Sequence, residues 1–317
     1  FQDVKFYGVK KETITMNFLG KKNLFFAISI TAIAIGWIFM AIGAASGKGA
    51  LNYGLDFRGG TSTNVTFNED LSLEEISSKV VPVVAEVSGD SEVQTQKVAG
   101  TTEVIIKTKT LSVEQRQALN EAMVEKFNVD ADKITAESIS GAVSKEMKED
   151  AVTAVIISTI CMLIYIWFRF KDIRFAASAV LALLHDVLAV LTCYAVAKWS
   201  VGSTFIACML TIVGYSINAT IVIFDRIREN LQTKSHKESL ADLVNRSISE
   251  TFTRSINTSL TTFIMVFVLF LLGVSSIREF ALPLMAGIIF GGYSSICVTG
   301  ALWYVLTTKK KTAKAAE

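Results

Sequence analysis

The sequence predicts a polytopic α-helical membrane protein that carries an α+β domain in its first large loop. Three observations lead there. Hydrophobic residues make up 51% of the 317-residue chain and charged residues only 19%, too apolar a balance for a soluble domain of this size. Six stretches, at about 24–44, 149–169, 173–197, 200–224, 255–275 and 278–306, are long enough to cross a bilayer, which takes roughly 20 apolar residues. The segment between the first two is different in character, rich in β-branched residues and in charge.

Taken in order, the spans are separated by short loops whose Lys and Arg content sets orientation. Lys5, Lys10, Lys11, Lys21 and Lys22 precede the first span; Arg169, Lys171 and Arg174 lie between the second and third. Arg226, Arg228, Lys234, Lys237 and Arg246 lie between the fourth and fifth, and Lys309, Lys310, Lys311 and Lys314 close the chain. The opposite hairpins hold only Lys198 and Arg278. Both termini are therefore expected on the cytoplasmic side. This gives a cytoplasmic segment 1–23, a first span 24–44, an exported domain 45–148, five further spans within 149–308 and a basic tail 309–317. The chain opens on Phe1 rather than Met, and its start lacks a signal-peptide cleavage pattern, so a processed, fused or trimmed chain is expected.

The segment 45–148 repeats itself. "TSTNVTFNEDLSLEE" and "TTEVIIKTKTLSVEQ" each read as an alternating strand followed by a helix start. Ser72 with Glu75, and Ser112 with Gln115, have capping-box spacing, and Leu71 with Ile76 could staple the first helix. Further strand-like runs follow each helix near 92–98 and 134–139. Two β-α-β halves predict a ferredoxin-like α+β domain, a fold that implies no activity on its own. It contains no nucleophile motif, metal-ligand spacing or glycine-rich phosphate loop, so binding is expected there rather than chemistry. The net charge of +2 is scattered among acids and gives no footprint for nucleic acid. Cys161, Cys193, Cys208 and Cys297 all lie in apolar runs without CxxC spacing and read as small buried residues.

Polar groups within the spans are few and costly, at least about 2.5–3.5 kcal/mol each for an ionised side chain. His185 and Asp186 sit in the third span; being adjacent, they are expected on different helix faces and not as a facing pair, in a bundle contact or a proton path. In the fourth span Gly214, Tyr215, Asn218 and Asp225 fall near one face. There Asn218 either glues two helices together or belongs to a functional centre. In the fifth, Arg254, Asn257, Thr258, Thr261 and Thr262 form a stripe that must meet protein or water. A carbonyl one turn back is enough to satisfy its hydroxyls, which leaves Arg254 and Asn257 as the members that ask for a function. The charged stretch at about 225–250 reads as a cytoplasmic amphipathic helix. Gly287, Gly291 and Gly292 suit close helix packing, with Pro283 as a kink.

Two separated motifs carry a resemblance. "GLDFRGGT" at 54–61, with Gly54, Asp56, Gly59 and Gly60, and "VGYSINATIVIFDRIREN" followed by "NRSISETFTRSINTSLTT" resemble the signatures of the SecF family. Its members partner SecD in the bacterial protein-export accessory complex and are related to the RND (resistance-nodulation-division) transporters. The likeness runs from about residue 14 to 308. It implies an RND-like half in the bacterial cytoplasmic (inner) membrane. Its partners would be SecD, the Sec translocation channel, exported unfolded polypeptides and membrane lipids. It implies no enzymatic reaction and no cofactor, with the proton gradient as the energy source. The family pattern is Ser-Ile-Asn-Asp where this chain has Ser216-Ile217-Asn218-Ala219, and that Asp is the family's proton carrier. The implied proton path is then position 219 with Asn218, Arg254, Asn257 and Thr258, and His185, Asp186 and Asp225 are secondary candidates. Ala219 can neither bind a proton nor pair with Arg254. It is read as a substitution that disables coupling, introduced by engineering, or as the mark of a version that couples differently. Two other readings stay open: a half-transporter of a small molecule or lipid, and a non-transporting scaffold.

Overall fold

The structure is a computed structural model that describes residues 15–46, 49–90, 93–98, 100–170 and 172–314. Lys5, Lys10, Lys11 and Lys171, on which part of the orientation argument rests, lie outside the described residues. A 3₁₀ turn, Leu19–Lys21, leads into α1 (Lys22–Ala45). After β1 (Asn52–Tyr53) and the one-turn α2 (Leu55–Arg58) comes β2 (Gly60–Thr66). A continuous helix then runs through α3 (Leu73–Glu75), a π-helical turn Ile76–Val80 and α4 (Val81–Ser88). Next are β3 (Gln94–Lys97), β4 (Glu103–Thr108), α5 (Val113–Phe127) and β5 (Ile134–Ile139). The long helices α6 (Gly141–Phe170), α7 (Ile173–Ala197), α8 (Ser203–Gln232) and α9 (Leu240–Leu272) follow, with the short β6 (Ser200–Val201) before α8. The last span is α10 (Ser275–Tyr293), a π-helical segment Ser294–Thr299 and α11 (Gly300–Lys314).

Six helices of the described residues are long and apolar enough to cross a membrane: Leu19–Ala45, Gly141–Phe170, Ile173–Ala197, Ser203–Gln232, Leu240–Leu272 and Ser276–Thr308. The helices outrun the apolar stretches because a helix does not stop where lipid does. α6 starts at Gly141, a full two turns before the apolar run, and α9 starts at Leu240, well before its own. The segment 225–250 is not the single amphipathic helix expected. α8 ends at Gln232, the chain turns through 233–239, and α9 starts at Leu240, where the Ser239 hydroxyl accepts from Asp242 N. The apolar side expected of it is real, since Ile227, Leu243, Val244 and Ile248 are buried in the bundle.

The small domain follows from its sequence closely. Its sheet has the order β3-β4-β2-β5, every neighbouring pair antiparallel, with connectivity β-α-β-β-α-β through β2, α3–α4, β3, β4, α5 and β5. Val65, Val104 and Ile106 point from the strands to one face, where Ile76, Val80, Val84, Leu119 and Met123 of the helices cover them. Both capping boxes form: Glu75 N and Gln115 N donate to the Ser72 and Ser112 hydroxyls at 3.2 Å each, and each acceptor side chain reaches back to its cap residue's N–H at 3.0 Å. Leu71 packs against the cluster that contains Ile76, as a staple would place it.

In the bundle, α7, α8 and the last span are the most buried helices, while α1, α6 and α9 turn most of their surface outward. At the end away from the small domain, Phe170, Phe175, Phe224 and Trp303 interlock, with Phe175 stacked on Trp303 at 4.9 Å between ring centroids. The glycines of α10 let the helices approach: a Cβ on Gly287 would lie 2.3 Å from Ile212 Cδ1, and one on Gly291 3.3 Å from Ser216 Cβ.

Candidate functional site

The motif around Ser216 occupies the middle of α8, and its successive side chains radiate by about 100° per residue. Gly214 and Asn218 face outward, Tyr215 turns to α9 and donates to Ser259 Oγ at 2.8 Å, and Ser216 turns inward to α7. Tyr215 thus leaves the face on which the sequence grouped it with Gly214, Asn218 and Asp225. Asn218 is exposed on this chain and Ala219 partly so. Among the described residues Asn218 therefore glues no helix pair.

On α9, Arg254, Asn257, Thr258 and Thr261 are exposed along one side. The threonine hydroxyls bond back along the helix, Thr258 to Arg254 O and Thr261 to Asn257 O at 2.9 Å each, and Thr262 to Thr258 O. That accounts for the hydroxyls alone. Among the described residues, no ion pair or side-chain hydrogen bond reaches Arg254, Asn257 or Asn218. Asp225 is engaged elsewhere, in an ion pair with Arg169 of α6 and 3.8 Å from Arg228.

The buried polar centre of the bundle is Asp186. Its side chain is fully buried near the middle of α7. Oδ2 accepts from the Ser216 hydroxyl of α8 and from the Ser294 hydroxyl at 2.8 Å, where the π-helical segment of the last span begins. Oδ1 lies 2.9 Å from His185 Nδ1. This corrects the expectation for His185 and Asp186. They leave the helix on different sides, yet the imidazole folds along the helix surface far enough for Nδ1 to meet the neighbouring carboxylate. The His185 ring sits 6.1 Å from the ring of Tyr293, whose hydroxyl donates to Phe25 O of α1 at 2.9 Å. Asp186 thereby holds α7, α8 and the last span together through hydroxyls alone, with no Lys or Arg beside it among the described residues. Ser216 stood inside the quoted motif, so its role was within reach of sequence. Ser294 carried no signal, because its meaning depends on which helix crosses α7.

The remaining singled-out residues lie at the domain end of the bundle. Gly54 precedes α2, Asp56 stands within it, and Gly59 and Gly60 connect it to β2. Gly59 and Gly60 have φ of 73° and 118°, and a Cβ on Gly60 would lie 2.2 Å from Thr108 O, so that turn requires glycine. No group of three or more His, Cys, Asp or Glu able to hold a metal occurs among the described residues.

The family profile described as "Protein export membrane protein SecD/SecF, C-terminal" matches residues 119–309. The chain belongs to the SecD/SecF family of protein-export membrane proteins. It is 34% identical over 307 residues to the protein translocase subunit SecF of Petrotoga mobilis, covering 95% of this chain and 99% of that one. It is 35% identical over 308 residues to the protein translocase subunit SecDF of Thermus thermophilus, where the match takes up 40% of the relative. The crystal structure of Thermus thermophilus SecDF, described as a translocon-associated membrane protein, superposes with a TM-score of 0.77 at 33% identity. The superposition covers 92% of this chain and 39% of that one, so the chain corresponds to about two fifths of the solved protein. The six-helix SecD/SecF architecture is thus shared, and the protein is a multi-pass membrane protein.

Proposed function

We propose that this chain is a membrane subunit of the Sec protein-export machinery that, together with SecD, uses the proton-motive force to promote translocation or release of polypeptides at the outer face. The observation that carries the reading is the outward polar side of α8 and α9. Asn218, Arg254, Asn257 and Thr258 are exposed on membrane-length helices, and no side-chain hydrogen bond or ion pair reaches the first three among the described residues. A charge left against lipid costs at least about 2.5–3.5 kcal/mol, so this side calls for protein. SecD is the fitting cover, since the Thermus thermophilus relative is a single SecDF chain. In this reading the small domain is ferredoxin-like and exported, both termini are cytoplasmic, and the membrane is the bacterial inner membrane. The unit is not an enzyme and uses no cofactor. It works beside the Sec translocation channel on unfolded polypeptides.

Position 219 is the proton-carrier position in this reading, with Asn218, Arg254, Asn257 and Thr258 around it. A carboxylate there, next to Arg254 and partly withdrawn from water, would have its protonation set by whichever side's water reached it. One charge moved across 100 mV supplies about 2.3 kcal/mol, enough to bias two arrangements of a helix bundle. Ala219 removes that group, so this chain is a disabled motor. The same residue also favours the scaffold reading, in which the chain only holds SecD and the channel.

The test compares this chain with Ala219→Asp, each reconstituted with SecD and the channel, and follows completion of polypeptide export with and without a proton gradient. A gradient-dependent step present with Asp and absent with Ala supports the disabled motor. An equal response to the gradient in both overturns the assignment of position 219. No response in either favours the scaffold.

A further inference from the structure

The segment Gly54–Gly60 lies outside the proposed proton path, yet three parts of the molecule meet on it. On its upstream side β1 pairs in parallel with β6, Asn52 against Ser200 and Tyr53 against Val201, so the segment is sewn to the loop between α7 and α8. Gly54 N donates to Val201 O at 2.9 Å, and Asn52 Nδ2 donates to Lys198 O at 2.9 Å. On its downstream side Gly59 and Gly60 turn straight into β2, which has a neighbour on each side within the sheet. A Cβ on Gly59 would lie 3.3 Å from Gly141 Cα, so the turn also rests on the start of α6.

Asp56 stands at the centre. Its Oδ2 accepts from the Ser203 backbone N–H at 2.8 Å and from the Ser203 hydroxyl, and Ser203 is the first residue of α8. The residue in the N-cap place, Gly202, offers no side chain, and a Cβ there would come within 2.9 Å of the same carboxylate oxygen. Helix α8 is therefore capped from 147 residues away in sequence. A helix start leaves N–H groups without partners and carries partial positive charge, so a carboxylate is the group that holds it best. The Asp56 carbonyl accepts from the Ser144 hydroxyl of α6 at 2.9 Å. Lys107 of β4 adds a second tie, donating to Ser200 Oγ at 3.3 Å.

We propose that Asp56 is a positioning residue that couples α8 to the central strand of the small domain, so that movement of α8 is delivered to the sheet through the carboxylate–Ser203 cap. The consequence for export rests on the function proposed above. The helix capped by Asp56 is the one that carries Ser216, Asn218 and Ala219, and only the single turn of α2 separates the cap from β2. A displacement of α8 therefore reaches the domain without passing through a slack loop.

The experiment uses the full chain assembled with SecD and the channel, in the Ala219→Asp form, and compares Asp56 with Asp56→Asn and Asp56→Ala. Asn keeps an oxygen that can accept from Ser203 N, whereas Ala keeps none. Two readouts are taken. One is the gradient-stimulated part of export. The other is the distance distribution between spin labels at positions 121 and 234, on α5 and just past α8, with the four native cysteines replaced by Ala. The expected result is a narrow distribution and retained stimulation for Asp and Asn. For Ala we expect a broadened distribution and a loss of stimulation of about fivefold, the population change that one helix cap commands. An Ala variant matching Asp in both readouts overturns the coupling. If Ala219→Asp shows no gradient response, the functional reading fails, and the distance distribution alone decides the joint. If Asp56→Ala does not assemble, Gly202→Ala takes its place, because its Cβ displaces the Asp56 carboxylate; an unchanged distance there also overturns the proposal.

Discussion

Asp186 shows how much a single carboxylate organises with no Lys or Arg beside it among the described residues. Ser216, Ser294 and His185 come from two other parts of the bundle and from its own helix, and each supplies one contact. Removing the carboxylate strands the fully buried Ser216 hydroxyl and leaves the Ser294 hydroxyl only its 3.3 Å bond to Gly291 O. Asp186→Leu should therefore cost about 1–3 kcal/mol for each hydroxyl left without a partner, read as a lower unfolding temperature of the detergent-solubilised protein. Asp186→Asn retains an oxygen and a rotatable amide, so it should cost clearly less. A Leu variant as stable as the parent would remove the hydroxyl contacts from the account of what holds these helices together. At this scale the sequence was a fair guide to which residues matter and a poor guide to what they touch. Asp186 stood out as a charge among apolar residues, but its partners are fixed by how three helices cross.

Among the elements, the first helix of the small domain ties sequence to a measurable pH response. The Ser72 backbone N–H, above all, and then the Lys79 ammonium hold the Glu75 carboxyl at about 2, below its ordinary 4.5. A carboxyl lowered by folding stabilises the fold fully above its unfolded value, and that contribution is lost as pH falls from about 4.5 through about 2. Amide exchange over residues 73–88 should accelerate as pH drops from 5 to 3, after correction for intrinsic rates. In Glu75→Gln that acceleration should be flattened, because the amide still accepts from Ser72 but does not titrate. Equal pH dependence in both proteins would separate the cap from the acid response. This helix start was fully legible, since capping depends on residues three apart and on nothing distant. The segment 225–250 was not. Its apolar spacing is continuous enough to suggest one helix, and the break at 233–239 arises where two helices must reverse direction.

For the molecule as a whole, the strongest expectation concerns the face it shows to others. The exposed side of α8 and α9 contains Asn218, Arg254, Asn257 and Thr258, whereas the exposed residues of α1 and α6 include long runs of Leu, Ile, Trp and Phe suited to lipid. A cysteine placed at 258 in a background lacking the native cysteines should react readily with a small water-soluble maleimide in the isolated, detergent-solubilised chain. Co-assembly with SecD should slow that reaction at least about tenfold, a margin set by loss of solvent access to a buried side chain. Unchanged labelling in the complex would place SecD on another face. The six spans and the order of strands and helices in the small domain were readable from length, periodicity and caps. The outward polar side was readable as a stripe, but not which way it faced, because periodicity gives a helix its faces without saying what lies opposite.

The π-helical segment Ser294–Thr299 begins where Ser294 meets Asp186, and the Thr299 hydroxyl closes it by donating to Ser294 O at 3.1 Å. A π turn holds one residue more than an α turn spanning the same height. The last span is therefore two helices in different angular phase, and the extra residue sets the offset. Deleting one residue between 295 and 298 should therefore let the span close to uniform α-helix while everything after it keeps nearly its present phase, since the segment loses only the residue that the π turn added. Trp303 would keep its stack with Phe175, and the bundle its aromatic clasp at the end farthest from the small domain. The fluorescence of Trp303, in a background with the other three tryptophans replaced by Phe, should stay unshifted in that variant; a red shift would show that the indole has left its buried site.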